Sequence, residues 1–215
     1  MSLVDELVTV VEVAADNHGI VTRHLLLEAG VRPAAITALA RDERAMRRVG
    51  RGVYQLVQLQ DDRWCDYRQA LQRLDPTVHQ QELFHDPLHP DRGVLSHLAA
   101  AHVWGAVDLP WDTHLTTPRR RRLSGVTVHT ACLTPEEVTL SPGYWSGCCD
   151  AVPVTTVERT TRDLVATLED ADYLRRWVEH CHQEGLLTET RLVEMLGDRL
   201  QSVQEGWFGW EGGRG

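Results

Sequence analysis

The groups best suited to chemistry in this chain are guanidinium groups crowded into one short stretch. Residues 23 to 51 hold seven arginines (Arg23, Arg32, Arg41, Arg44, Arg47, Arg48, Arg51) against Glu28, Asp42 and Glu43. The remainder carries fifteen arginines against twenty-eight carboxylates, and the formal net charge is −9. Lysine is absent, which reads as a compositional bias of the source genome. A cationic segment on an anionic body suits local binding of a phosphate backbone. It does not suit coating a nucleic acid along the whole surface. The plainer alternative is a small helical unit with solvated arginines.

Other groupings are weaker. Ser96 and His97 are a hydroxyl beside an imidazole, but neighbours on a helix do not face each other, and no G-x-S-x-G elbow surrounds them. Cys148, Cys149, His180 and Cys181 are potential metal ligands, yet the five cysteines include no C-x-x-C pair. Free thiols in a reducing cytoplasm are the simpler reading. His85 and His89 flank Pro87 in what reads as a surface loop. Glu158 and Asp163 lack the i, i+4 spacing of a shared helix face. These observations lead us to expect no catalytic residue, no metal and no cofactor, and a protein that is not an enzyme.

The elements that must position the arginines are short. Residues 3 to 16 put Leu3, Leu7, Val8, Val11 and Ala15 on one stripe, an amphipathic helix ended by Asn17-His18-Gly19. Ile20 and Val21 suit a short strand. Thr22 is placed as an N-cap before Leu25, Leu26 and Ala29, and Gly30 as the C-terminal cap. Pro33 suits the first position of a second helix whose inward stripe is Ile36, Leu39 and Ala40. Arg32, Thr37 and Arg41, with Ala34, Ala35 and Ala38, are left outside. Two runs, Met46–Val49 and Val53–Leu56, flank Gly50-Arg51-Gly52 and read as a hairpin. A helix, two helices across a Gly-containing turn and a hairpin make a winged helix-turn-helix, which lays its second helix in the major groove. The expected DNA contacts are Arg23, Arg32, Thr37, Arg41, Arg44, Arg47, Arg48, Arg51 and Tyr54. Alanine cannot hydrogen-bond a base, so most affinity should come from phosphates.

Beyond a polar boundary at Leu59–Arg63, Trp64, Tyr67, Leu71 and Leu74 form one helical stripe, stopped by Asp75-Pro76. Residues 79 to 93 read as loop. Val94–Leu95 reads as a strand entering a helix capped by Ser96 and ended by Gly105. Thr113–Thr117 and Val126–Thr130 alternate as strands. Between them Arg119, Arg120, Arg121 and Arg122 make a hairpin with a basic tip, either solvated or a second phosphate contact. Residues 133 to 138 form a turn on Thr134-Pro135, and 141 to 151 are irregular. Val152–Thr155 is a strand that Pro153 confines to an edge or a strand start. Thr156 caps the next helix, and helices over 171–184 and 189–200 follow, separated by Gly185 and with Thr188 capping the second. Trp207, Phe208 and Trp210 sit in a glycine-rich tail.

With 215 residues, 42% hydrophobic and 25% charged, the expectation is a globular α+β protein. It comprises a winged helix-turn-helix over 1–60, a mixed α/β domain with a small sheet over 61–205 and a tail over 206–215. No apolar run is long enough to span a membrane, and no secretory signal is apparent. A cytoplasmic location follows.

Four motifs in this order, RRVGRGVYQL, GVLSHLAAAHVWG, HLTTPRRRR-x-x-GVTVHT and VPVTTVERTTRDLV, resemble the AbiEi-type antitoxin family of bacterial toxin–antitoxin systems over about residues 5 to 170. The resemblance implies an antitoxin and transcriptional autorepressor. Its N-terminal domain would bind inverted repeats in operator DNA through the Arg32–Arg41 helix and the Arg47–Tyr54 wing, as a monomer or weak dimer. Its C-terminal domain would restrain a cognate nucleotidyltransferase-type toxin. The alternative from the residues is a ligand-responsive regulator with a small-molecule site within 94–155.

Overall fold

The computed structural model describes residues 3–59, 63–106, 108, 110, 112–141, 151–168 and 170–204. The chain is α+β, with helices packed on a three-stranded and a five-stranded sheet. The first seventy residues follow the expected order: α1 (Leu3–Ala15), β1 (Ile20–Thr22), α2 (Arg23–Glu28), α3 (Pro33–Leu39), β2 (Met46–Gly50) and β3 (Val53–Leu56), then α4 (Cys65–Gln72). The Thr22 hydroxyl accepts from the Leu25 amide at 3.1 Å, capping α2. Gly30 takes φ +84° after α2, and Pro33 opens α3. β2 and β3 form the hairpin, β1 adds to β3, and all pairings are antiparallel.

Helix α1 departs from its sequence pattern. Leu7, Val8 and Val11 are exposed, whereas Glu6, Val10 and Ala14 are buried. The packed face is a second apolar stripe, Val10, Val13 and Ala14, which joins the N-terminal core, and Glu6 on that face pairs with Arg32. Two smaller departures concern α2 and α3. Ala35, expected outside, is buried beside Ile36, and Ala29 is exposed.

The remaining elements are α5 (Gln80–His85), β4 (Val94–Leu95), α6 (His97–Val103), β5 (Thr113–Thr117), β6 (Val126–Thr130), β7 (Val138–Leu140), β8 (Pro153–Thr155), α7 (Val157–Thr167), α8 (Ala171–Gln183), α9 (Glu189–Leu196) and α10 (Leu200–Gln204). The larger sheet has the order β6-β5-β4-β8-β7. Helix α5 replaces part of the loop expected over 79–93. Buried Arg92 holds this stretch together, reaching Asp75, Glu82 and Asp86. The hairpin expected between β5 and β6 does not form, because the two strands are parallel. Alternation identifies a strand but not its direction. Residues 118–125 therefore run back along the strand pair, and Arg119–Arg122 is not a tip. The local turn comes later, at Gly125 with φ +67°.

Helix α6 joins the layers. Ala99, Ala100 and Val103 pack with Trp64, Tyr67, Leu71, Leu95, Leu115 and Val154 in the sheet core. Ala101 packs with Leu164, Trp177, Cys181 and Leu192 in a second, all-helical core. The N-terminal unit has its own core of Val10, Leu26, Ile36 and Met46. It meets α4 and α5 through buried amides. Asn17 Nδ2 donates to Gln72 Oε1 (3.3 Å), Asn17 Oδ1 accepts from the Gln80 amide (2.7 Å), and Gln69 Nε2 donates to Gln55 Oε1 (3.3 Å). Among the described residues no helix is long and apolar enough to cross a membrane. Cys148, Cys149 and most of the irregular stretch 141–151 lie outside the described residues, as do Trp207, Phe208 and Trp210 with the tail domain.

Gly93 is the tightest backbone approach leading into this sheet. A Cβ there would stand 2.8 Å from the Thr116 carbonyl oxygen and 2.8 Å from Thr117 Cγ2. Gly93→Ala should therefore destabilise the protein by about 1–3 kcal/mol, the usual scale for overpacking. Thermal unfolding followed by circular dichroism would show this as a Tm lowered by several degrees. An unchanged Tm would mean that the β4 entry is free to shift.

Candidate nucleic-acid interface

Helix α3 has an inside and an open outside. Ala35, Ile36, Leu39 and Ala40 face the N-terminal core. Ala34, Thr37, Ala38 and Arg41 are exposed, spaced i, i+3, i+4, i+7 on one stripe. The Thr37 hydroxyl donates to the Pro33 carbonyl at 2.9 Å. Its proton is thus engaged within the helix, and it can meet a ligand as an acceptor. Arg44 lies in the turn after α3, its amide donating to Asp42 Oδ1.

The hairpin lies beside this helix pair. The Arg23 amide donates to the Gly52 carbonyl at 2.7 Å, so Arg23 and Arg51 stand at the same end of the hairpin. Arg47 and Arg48 do not act as a pair. Register places Arg48 opposite Tyr54 and Arg47 opposite Gln55. Successive strand residues point to opposite faces. Arg48 thus shares the face of Tyr54 and Val21, toward α1–α3. Arg47 shares the face of Gln55 and Ile20, toward α4. Arg48 is further held by its Nε donating to the Gly50 carbonyl at 3.1 Å.

Arg32 is placed differently from the other arginines. Its Nε and Nη2 donate to the two Glu6 carboxylate oxygens at 2.8 Å each, and its amide donates to Oε1 at 3.0 Å. Glu6 is shut off from solvent, while the Arg32 side chain that pairs with it is largely exposed. The Arg32 hydrogen bonds, side chain first and then backbone, pull the Glu6 carboxyl from 4.5 down to about 2. The same bonds raise the Arg32 pKa. Arg32 thus fastens the start of α3 to α1, and its fork is already occupied.

Sequence reasoning missed Arg73. It ends α4, and its stem lies against the hairpin: a Cβ on Gly50 would be 2.8 Å from Arg73 Cγ. Its Nη2 donates to the Ser124 carbonyl at 2.8 Å. Burial lowers its pKa. Arg73 therefore links the hairpin to the connection that carries Arg119–Arg122. Within that connection Arg119 and Arg121 both pair with Asp91, while Arg120 and Arg122 are exposed. No local pattern marks Arg73, because its neighbours are distant in sequence.

The other candidate groupings resolve into structure. Ser96 and His97 do touch, at 2.9 Å between Oγ and Nδ1. Ser96 is extended while His97 has φ +51°, so they are not consecutive turns of one helix. The Ser96 hydroxyl makes no capping bond; it accepts instead from Thr116 Oγ1 at 2.8 Å. Asp163 approaches that same Nδ1, at 3.9 Å, whereas a Ser-His-Asp relay needs opposite ring nitrogens. Ser96 is also fully buried. Glu158 pairs with Arg191 and Arg162, and Asp163 with Arg159. Cys65 and Cys181 are buried and Cys132 is exposed; burial pushes the Cys181 thiol up to about 12. His85 ends α5, and His89 lies after it.

Compared with known proteins, the chain matches no protein-family model and no curated protein sequence.

The Glu6–Arg32 pair has a definite pH signature. A carboxyl held below its unfolded value stabilises the fold above that value, and the contribution disappears as pH falls through the folded one. It should be fully present above pH 4.5 and lost on acidification from there toward about pH 2. Glu6→Gln should lower stability at neutral pH and flatten that acid limb in urea titrations. An acid limb identical to that of the unsubstituted protein would remove the pair from the account.

Proposed function

We propose that this chain is a winged helix-turn-helix DNA-binding protein acting as an antitoxin and transcriptional autorepressor. The observation that carries the DNA reading is the open stripe of α3 set beside a hairpin whose turn brings Arg23 and Arg51 together. In this reading α3 enters the major groove, with Arg41 at the end of its stripe. Arg44, Arg48 and Arg51 meet flanking phosphates, and Tyr54 supports Arg48 from the next strand. Arg32 positions α3 rather than reading bases. Arg47, on the α4 side, would meet more distant phosphate, and Arg73 joins the hairpin to the connection that carries the exposed Arg120 and Arg122. With so few base-reading groups, affinity rests mainly on counterion release. The antitoxin role rests on the four-motif resemblance: the C-terminal domain would counteract a nucleotidyltransferase-type toxin in the cytoplasm.

A second reading, a ligand-responsive regulator, draws on a cleft of about 430 Å³ lined by Arg63, Trp64, Trp104, His180, Glu184 and Leu186. It combines aromatic walls with a few charged groups, as small-molecule sites do. It lies mostly outside the 94–155 region first expected to hold such a site.

Two measurements test the proposal. In a mobility shift against its own upstream DNA, the combined Arg41→Ala, Arg48→Ala and Arg51→Ala variant should bind weakly. Each lost phosphate contact should reduce the slope of log K against log salt by roughly 1. An unchanged shift and slope would remove α3 and the hairpin from the account. Co-expression with the neighbouring gene product should rescue growth if that product is a toxin. Failure to rescue, with DNA binding intact, would favour the ligand-responsive reading.

A further inference from the structure

The fold gathers three imidazoles that are far apart in the chain. His97 opens α6, His114 lies in β5 and His129 in β6. The parallel register pairs Thr116 with His129, so His114, Thr116 and His129 share one face of the sheet. His114 Nδ1 and His129 Nε2 are 3.1 Å apart. The His97 and His129 rings stack with centroids 3.5 Å apart and 10° between planes. One ring nitrogen from each of the three lies within 4.8 Å of the other two. His97 is buried, while His114 and His129 are half-buried and leave an approach from solvent.

We propose that His97, His114 and His129 form a binding site for a zinc-class divalent transition-metal ion, with a fourth position left for water or a small ligand. Three histidines and an open position are a recurrent donor set for this class of ion. Two nitrogens bound to zinc at about 2.0–2.1 Å in tetrahedral geometry stand roughly 3.3 Å apart; the His114–His129 pair, hydrogen-bonded nitrogen to nitrogen at 3.1 Å, stands near that spacing, and the ion takes the place of the shared proton. The His97 and His129 ring planes are nearly parallel, so their lone pairs lie in separate parallel planes; binding turns the rings out of the stack until those lone pairs converge.

A second observation points the same way. Asp163 is 8% exposed, and its Oδ2 is buried with no hydrogen-bond partner among the described residues. That oxygen is 3.9 Å from His97 Nδ1. The direct partner of Nδ1 is Ser96 Oγ at 2.9 Å, with the Asp163 carboxylate just behind it; a hydroxyl and a nearby carboxylate on one ring nitrogen hold the ring and leave the other nitrogen for a metal. Ser96, through its hydrogen bond, and Asp163, through its charge, are thus positioning residues for His97. A plain polar stack would bury the imidazoles equally well but gives this carboxylate oxygen nothing to do. His97 also holds φ +51° without being glycine, and such strain is retained where surrounding structure demands one side-chain direction.

The test uses the full chain, stripped of metal with a chelator and titrated with Co²⁺ and then Zn²⁺. The expected result is one equivalent of Co²⁺ giving a visible d–d band without thiolate-to-cobalt charge transfer, displaced by Zn²⁺, and a higher Tm at saturating Zn²⁺. His114→Gln and His129→Gln should each weaken binding by more than about 100-fold, and Asp163→Asn by roughly 10–100-fold. His24→Gln, on the exposed side of α2 and outside the cluster, should bind as the unsubstituted protein does. No band at one equivalent, a thiolate charge-transfer band, or unchanged binding in folded His114→Gln and His129→Gln proteins would each overturn the proposal. Should those variants fail to fold, the spectrum of the unsubstituted protein decides on its own.

Discussion

Everything C-terminal of the hairpin depends on the narrowness of α6. Ala99, Ala100 and Ala101 have no solvent exposure, and they face two cores at once. A helix covered on most sides must present small residues if its neighbours are to approach at native packing density. The alanines therefore let the sheet core and the α7–α10 core press against a single short helix. Both ends are tied down by polar contacts. Trp104 Nε1 donates to the Thr155 carbonyl, and His180 Nε2 bonds to the Trp104 carbonyl. At the other end Ser96, Thr116 and His97 are linked through their side chains. A larger residue in the alanine run would push apart these layers, which otherwise meet directly where the Thr155 and Thr160 hydroxyls bond between β8 and α7.

The N-terminal unit is joined to this body in a different way. Its own core closes around α1, α2, α3 and the small sheet, and the seam to α4 and α5 is made of amides. Asn17 is fully buried and bonds to the Ile20 carbonyl, to Gln72 and to the Gln80 amide. Buried polar groups of this kind are costly unless matched, so a seam of complementary amides fixes one mutual placement more narrowly than apolar contact would. The placement has a consequence for charge. Through Arg73 it brings the Arg119–Arg122 connection up to the hairpin, although the two are about seventy residues apart in sequence.

In the proposed DNA-binding reading, the arginines divide by task. Arg41, Arg44, Arg48 and Arg51 face outward around α3 and the hairpin. Arg32 is committed to Glu6. Arg47 and Arg73 stand on the far side of the small sheet. A local excess of positive charge is thus spread over two edges of one lobe, which suits a backbone followed over some distance better than a single tight contact. The histidine trio lies elsewhere, where β5, β6 and α6 meet, and makes no use of this surface.

Much of the layout was legible in the chain itself. The Thr22 cap, the Gly30 end, Pro33 opening α3, the hairpin around Arg51-Gly52, the Trp64–Leu74 stripe, both alternating strands and the Thr156 and Thr188 caps are local effects, and local residues decide them. The positive lobe was legible for the same reason, since charge is additive along a sequence. What the sequence could not decide were the choices that depend on distant partners. The packed face of α1 turned on which of two apolar stripes would meet α2, α3 and the small sheet, and Val10, Val13 and Ala14 did. The direction of β6 turned on whether residues 118–125 would close a tight turn or run back along the strand pair before β6 began. The proximity of Ser96 to His97 turned on a positive φ, and the grouping of His97, His114 and His129 on strand order. Each depends on which groups end up adjacent in space, and only the packed tertiary structure sets that.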